Sequence, residues 1–194
     1  MNEIIIGITG ASGSIIADTI IKELLSQSYF VHLIVTDTGK QVLEYELDIN
    51  FEDLIASYKN INTDIKLYAN NYMFCKIASG SYKTKGMIIV PCSMGTLGKI
   101  SCGIADSLLN RVADVMIKEK NKLLLVTRET PLNSIHLENM LKLSRLGVTI
   151  FPPVPAYYNK PKTLKEIIDI TAGRILNTFE IKNTLHHIWQ DGDI

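Results

Sequence analysis

Five short runs, residues 4–9, 30–35, 87–90, 123–127 and 148–151, are rich in Ile, Val or Leu and too short for anything but strands. Strands that are apolar along most of their length, rather than at alternate positions, bury both faces, and that requires a parallel sheet with helices on either side. The segments between the runs supply the helices: residues 14–26, 37–47, 96–119 and 133–145 carry apolar positions at helical spacing, the third interrupted near Gly103. Strand and helix alternate down the chain, so the fold class is α/β, a doubly wound parallel sheet.

Other segments are less regular. Residues 72–77 read as one further strand, whereas residues 51–71 are polar, Asn-rich and weakly periodic, and no element is assigned there. Pro152, Pro153 and Pro155 forbid a helix directly after the last strand. Thr163 then opens a helix through about Asn177 with Glu166 at its third position, the pattern of a capping box. At 194 residues the chain suits one domain, residues 1–180, and residues 181–194 form a tail, carrying the only Trp, expected to dock on a neighbouring subunit.

Charge and cysteine content narrow the function. Twenty basic residues balance twenty acidic ones, which is not the electrostatic footprint of a nucleic-acid binder. No apolar stretch approaches the roughly 20 residues that span a bilayer. Glu3 stands where a signal peptide needs positive charge, so a cytoplasmic location is expected. Cys75, Cys92 and Cys102 are odd in number and lack CxxC spacing, as in a reducing compartment. The adjacent His186 and His187 diverge by about 100° on a helix and cannot share one ion, so no metal site is assigned.

The chemistry concentrates where strands end. Residues 4–9 run into Gly10-Ala11-Ser12-Gly13-Ser14 and then a helix, which puts small residues and free backbone N–H groups at a helix N-terminus, a place for an anion. The loop is neither GxGxxG nor a Walker loop. Residues 87–90 lead into Pro91-Cys92-Ser93-Met94-Gly95-Thr96, and residues 123–127 into Arg128-Glu129-Thr130-Pro131. Three such loops at one sheet edge suggest a single ligand in the crevice beyond the strands, although an adjacent Arg-Glu pair can also be a surface ion pair.

These segments, together with Asn110-Arg111-Val112-Ala113-Asp114-Val115 and Pro152-Pro153-Val154-Pro155-Ala156-Tyr157-Tyr158, resemble the UbiX-type flavin prenyltransferases from residue 4 to at least residue 174. The resemblance implies a Rossmann-like, dodecameric flavoprotein. Such an enzyme joins dimethylallyl phosphate to N5 and C6 of reduced FMN, and the prenylated FMN serves UbiD-type decarboxylases. Carried over by motif, Gly10, Ala11, Ser12, Thr36, Ser93, Met94, Gly95, Thr96 and Arg128 correspond to the FMN shell. Lys118, Arg128, Tyr158 and Arg174 correspond to the prenyl-phosphate set. Glu46 and Glu129 match the family's active-site carboxylates and Ser12 lies beside the reacting flavin. Tyr82 and Trp189 are the candidate rings near the prenyl group, and Arg111 either binds phosphate or holds an interface. Glu129 is read as the proton-transfer group, with orientation of Arg128 as its alternative role.

Two positions depart from the family pattern. Ile16-Ala17 replaces a common Tyr-Gly, and Thr36 replaces a usual Ser. The residue types nonetheless suit the reaction. Breaking an allylic C–O bond transfers charge to the leaving phosphate, which fixed cations stabilise, and an aromatic face stabilises the developing allyl cation by roughly 2 kcal/mol when desolvated. No DDxxD segment for a metal-held diphosphate occurs, so metal-independent transfer is expected. The competing readings are an FMN-dependent peptidyl- or pantothenoyl-cysteine decarboxylase, against which all four His stand outside the loop motifs, and a non-catalytic FMN-binding subunit.

Overall fold

The computed structural model describes residues 2–185 and forms one six-stranded, wholly parallel sheet. In chain order the elements are β1 (Glu3–Ile8), α1 (Ser14–Ser26), β2 (Phe30–Val35), α2 (Asp37–Leu47), α3 (Phe51–Ile61) and β3 (Ile65–Tyr68). They continue with β4 (Met87–Cys92), α4 (Met94–Ser101), α5 (Leu108–Lys118), β5 (Leu123–Thr127), α6 (Ser134–Arg145), β6 (Thr149–Ile150) and α7 (Leu164–Thr178). The strand order is β3-β2-β1-β4-β5-β6. The winding reverses between β1 and β4, and the crevice at the carboxyl ends of those two strands is where ligands of open α/β sheets bind.

Two cores follow from the pleat. Ile4, Ile6 and Ile8 with Ile88, Val90, Leu124 and Val126 pack under α1, α3 and α7. The alternate residues Ile5, Met87, Ile89, Leu123 and Leu125 pack under α4, α5 and α6. Each fully buried Ile or Leu contributes roughly 1.5–3 kcal/mol, and consecutive apolar positions serve both faces, as the sequence runs imply.

The structure corrects three expectations. Residues 51–71 are not an irregular connection but a capped helix and an edge strand: Asn50 accepts from Glu52 N, Glu52 and Asp53 occupy the first turn, and Phe51, Leu54 and Tyr58 face inward. The polar residues there belong to the solvent face. Residues 72–77 are not a strand; they form turns and a single 3₁₀ turn at Lys76–Ala78. The expected capping box of α7 is half present, because Thr163 accepts from Glu166 N while the Glu166 carboxylate takes Lys162 N, one residue earlier. The complete box belongs to α6, built by Asn133 and His136. Within the described part of the tail, Ile181 is buried in its own chain's core and Leu185 packs against it.

Candidate active site

Three helices begin at the crevice, and the residue just before each uses its hydroxyl as a cap. Thr36 accepts from Gly39 N at α2, Ser93 from Thr96 N at α4, and Ser107 from Asn110 N at α5. Their converging N-termini favour an anion. The crevice has a volume of about 390 Å³, within the range of small-molecule sites. Its walls include Thr9, Gly10, Thr36, Ser93, Gly95 and Thr96, all but Thr9 assigned to the FMN shell, joined by Asp37, Asn70, Lys99 and Asp106, which sequence reasoning did not single out, and by Asn110, which heads a family-matching segment but carries no assigned role.

Local geometry explains the small residues. A Cβ on Gly10 would come within 2.4 Å of Thr38 Cγ2, so only glycine lets the first loop lie against the start of α2. A Cβ on Gly95 would meet nothing within 4 Å, which leaves α4's first turn open on that side. The loops are cross-braced: Thr9 Oγ1 donates to Pro91 O at 2.8 Å and accepts from Ser93 N at 2.8 Å. Asn70 ties β3's exit to α5 by accepting from Leu109 N at 3.0 Å.

The anion expected at the start of α1 is supplied by the chain itself. Glu46 accepts from Gly13 N at 3.0 Å and from Ser14 N at 2.7 Å. These N–H groups are therefore engaged rather than free, and the helix N-termini left facing the crevice are those of α2, α4 and α5. Ser12 is exposed beside this contact, and Ala11 is buried.

The other candidates divide by position. Arg128 and Glu129 are exposed at the exit of β5, where Glu129 accepts from Thr130 N at 3.0 Å and Arg128 makes no ion pair among the described residues. Tyr158 lies exposed on the loop after β6, and the Arg174 guanidinium stands 5.9 Å over the Phe151 ring. Met94 packs against the core below α4, not on the crevice wall. Burial pushes the Cys92 thiol up to about 12, which makes it an inert packing group.

Within one protomer, two candidates are remote from the crevice, and Arg111 follows the crevice residue Asn110 without lining the crevice itself. Lys118 ends α5 at the edge where strands begin, paired with Glu119 beside Gly80. Tyr82 stands at that same edge and donates to Glu3. Arg111 is paired with Asp114 on α5 at 3.0 Å. Trp189 lies outside the described residues.

Comparison with known proteins decides the family. The Flavoprotein family pattern matches residues 1–188. A flavin prenyltransferase UbiX of Halalkalibacterium halodurans is 45% identical over 188 residues, covering 95% of this chain and 91% of the relative. The chain belongs to the UbiX-type flavin prenyltransferases of the Flavoprotein family. Among solved structures, AnUbiX (PadA1) in complex with FMN and dimethylallyl pyrophosphate superposes with a TM-score of 0.89 at 37% identity, covering 97% of both chains. A dodecameric FMN-dependent UbiX-like decarboxylase from Escherichia coli O157:H7 gives 0.88 at 39%, covering 97% of this chain and 98% of that one. A PPC decarboxylase, at 19% identity and a TM-score of 0.56, shares the fold alone.

Proposed function

We propose that this UbiX-type protein joins a dimethylallyl group from dimethylallyl phosphate to N5 and C6 of reduced FMN. The observation that carries the reading is the crevice between β1 and β4, in which Gly10, Thr36, Ser93, Gly95 and Thr96, five of the nine residues matching the family's FMN shell, converge with three helix N-termini. It fits a phosphate-bearing flavin: the positive helix ends suit the phosphate, and a buried acceptor of Asn110 awaits a donor.

Reduced FMN supplies the electron-rich N5 and C6. Thr36, Ser93 and Thr96 bind its polar end, and Gly10 and Gly95 let it approach the backbone. Arg128, Arg174 and Tyr158 hold the leaving phosphate, whose new negative charge a guanidinium stabilises more than the ester it replaces. Closing the second bond adds a proton to the prenyl double bond left after the first and removes one from C6, and the exposed Glu129 carboxylate, free of Arg128, would relay that proton rather than orient the guanidinium. Glu46 holds Ser12 in place by fixing the N–H groups that follow it.

Lys118 and Tyr82 can serve only a crevice in another copy, so the proposal includes a shared site in an oligomer, a dodecamer like that of the E. coli relative. Ile135, Leu137 and Leu141 of α6 are more than half exposed in the single chain and supply apolar surface for such contacts. A UbiD-type decarboxylase as recipient and residence in the cytoplasm complete the proposal. Among the described residues no helix is long and apolar enough to cross a membrane.

Anaerobic incubation with reduced FMN and dimethylallyl phosphate, without added metal, is expected to yield a flavin heavier by one C5 unit. An unchanged flavin mass overturns the assignment.

A further inference from the structure

Asn110 carries an unmet hydrogen bond at the crevice. The residue is 5% exposed and lines the crevice wall, and its carboxamide oxygen has no partner. Its other half is engaged: Nδ2 donates to Asp106 Oδ1 at 2.8 Å, and Asp106 Oδ2 accepts from Lys99 Nζ at 2.7 Å. A carboxylate can only accept, so turning the amide over would set oxygen against oxygen. The orientation is therefore determined, with the donor toward Asp106 and the acceptor spare. The Lys99 ammonium first, and then the Asn110 amide, hold the Asp106 carboxyl below the usual carboxylate range, which keeps it an acceptor near neutral pH. The oxygen is enclosed in this structure, so its contact with a ligand in the crevice requires a turn about the last torsion of Asn110, which is soft.

We propose that Asn110 orients the flavin by accepting a hydrogen bond from a hydroxyl of its ribityl chain, and that Asp106 is the positioning residue that keeps the amide facing that way. A phosphate dianion offers no donor to Asn110 and has the helix N-termini instead. A polyol offers both a donor for Asn110 and acceptors for the surrounding hydroxyls. The inference rests on the flavin-binding reading above and adds the contact that distinguishes ribityl flavins from the bare ring.

Quenching of flavin fluorescence, measured for FMN, riboflavin and lumiflavin, tests it. Asn110→Ala is expected to weaken FMN and riboflavin about tenfold each, the size of one lost hydrogen bond, and to leave lumiflavin, which lacks the polyol, unchanged. Unaltered FMN affinity, or an equal loss for lumiflavin, would overturn the contact. Asp106 is half exposed, so its variants keep the fold intact. Asp106→Ala should cost about threefold, and Asp106→Asn, whose amide oxygen can still accept, should restore the affinity. If Asp106→Asn binds as weakly as Asp106→Ala, the positioning role is wrong. Wild-type protein that binds no flavin would end the flavin reading itself, whereas tight FMN binding untouched by Asn110→Ala ends this inference alone.

Discussion

The two edges of the one sheet both gather polar residues, and only the edge where the strands end leaves an open crevice within the chain. Where the strands begin, Glu3, His32, Tyr68, Lys76 and Tyr82 form a closed cluster. His32, fully buried, shares hydrogen bonds with Glu3 at 2.8 Å and Tyr68 at 3.0 Å, Tyr82 donates to Glu3, and Lys76 stands over the Tyr82 ring. Where the strands end, hydroxyls and helix N-termini surround an open crevice, and the Asn110 oxygen goes unmet. A polar cluster that satisfies itself stabilises the fold, and one that leaves hydrogen bonds over selects a ligand. Perturbation of the first should move stability, and perturbation of the second should move binding and turnover.

The sharpest separation is expected from Glu129→Gln. Turnover should fall by about 10²–10⁴-fold, the usual contribution of a positioned acid or base, while FMN affinity and the unfolding midpoint hold. Full turnover would return Glu129 to a structural role. A large effect is also expected from mixing subunits. Lys118→Ala and Arg128→Ala chains should each be nearly inactive alone and regain about a quarter of wild-type activity when co-assembled at random, if each site draws Lys118 from a neighbour. Absence of recovery would remove Lys118 from the site.

At the opposite edge, His32→Leu is expected to cost about 1–3 kcal/mol of unfolding free energy, because it strands the Tyr68 hydroxyl and removes a partner of Glu3. FMN affinity should not change, and a parallel loss of flavin would dissolve the distinction between the edges. The same histidine sets a pH signature. Burial holds its pKa below the ordinary 6.5, against the raising effect of Glu3, so the unfolded chain takes up a proton first as pH falls. Stability from this group is complete above about pH 6.5 and lost below it. Glu3, held low by its bonds to Tyr82 and then His32, adds a further loss below its ordinary 4.5. Denaturation midpoints between pH 7 and 5 should fall in the wild type and flatten in His32→Leu. The smallest effect belongs to Thr36→Ala, expected to cost about 1 kcal/mol through the lost cap of α2, with a few-fold weaker FMN, measured by denaturation and by titration.

Strands with consecutive apolar residues were readable because burial on both faces leaves no alternation, and the loops at their ends were readable because small and hydroxyl residues cluster there. The crevice residues Asn70 and Asp106 carry no such mark, and Asn110, though it heads a family-matching segment, carries none that shows its place on the crevice wall. Asn70 sits in a polar stretch that resembles any loop, and its value comes from two backbone contacts with α5, 38 and 39 residues away. Ser107 had a readable signal, a hydroxyl opening a helix after the break near Gly103, which also places Asn110 three residues on. Helix α3 is not legible in the sequence because Phe51, Leu54 and Tyr58 are its only buried residues, and a stripe that narrow hides among polar neighbours.

The linear order of residues by itself determined the α/β layering, the parallel sheet and the loops that carry the flavin motifs, because each depends on periodicity and residue type within a few positions. Folding decided which groups meet: that Glu46 caps α1, that Tyr82 and Lys118 face away from their own crevice, and that Asp106 leaves the Asn110 oxygen spare. Those outcomes depend on hydrogen-bond partners brought together from distant parts of the chain, and directional contacts of that kind leave no periodic trace in the residues that make them.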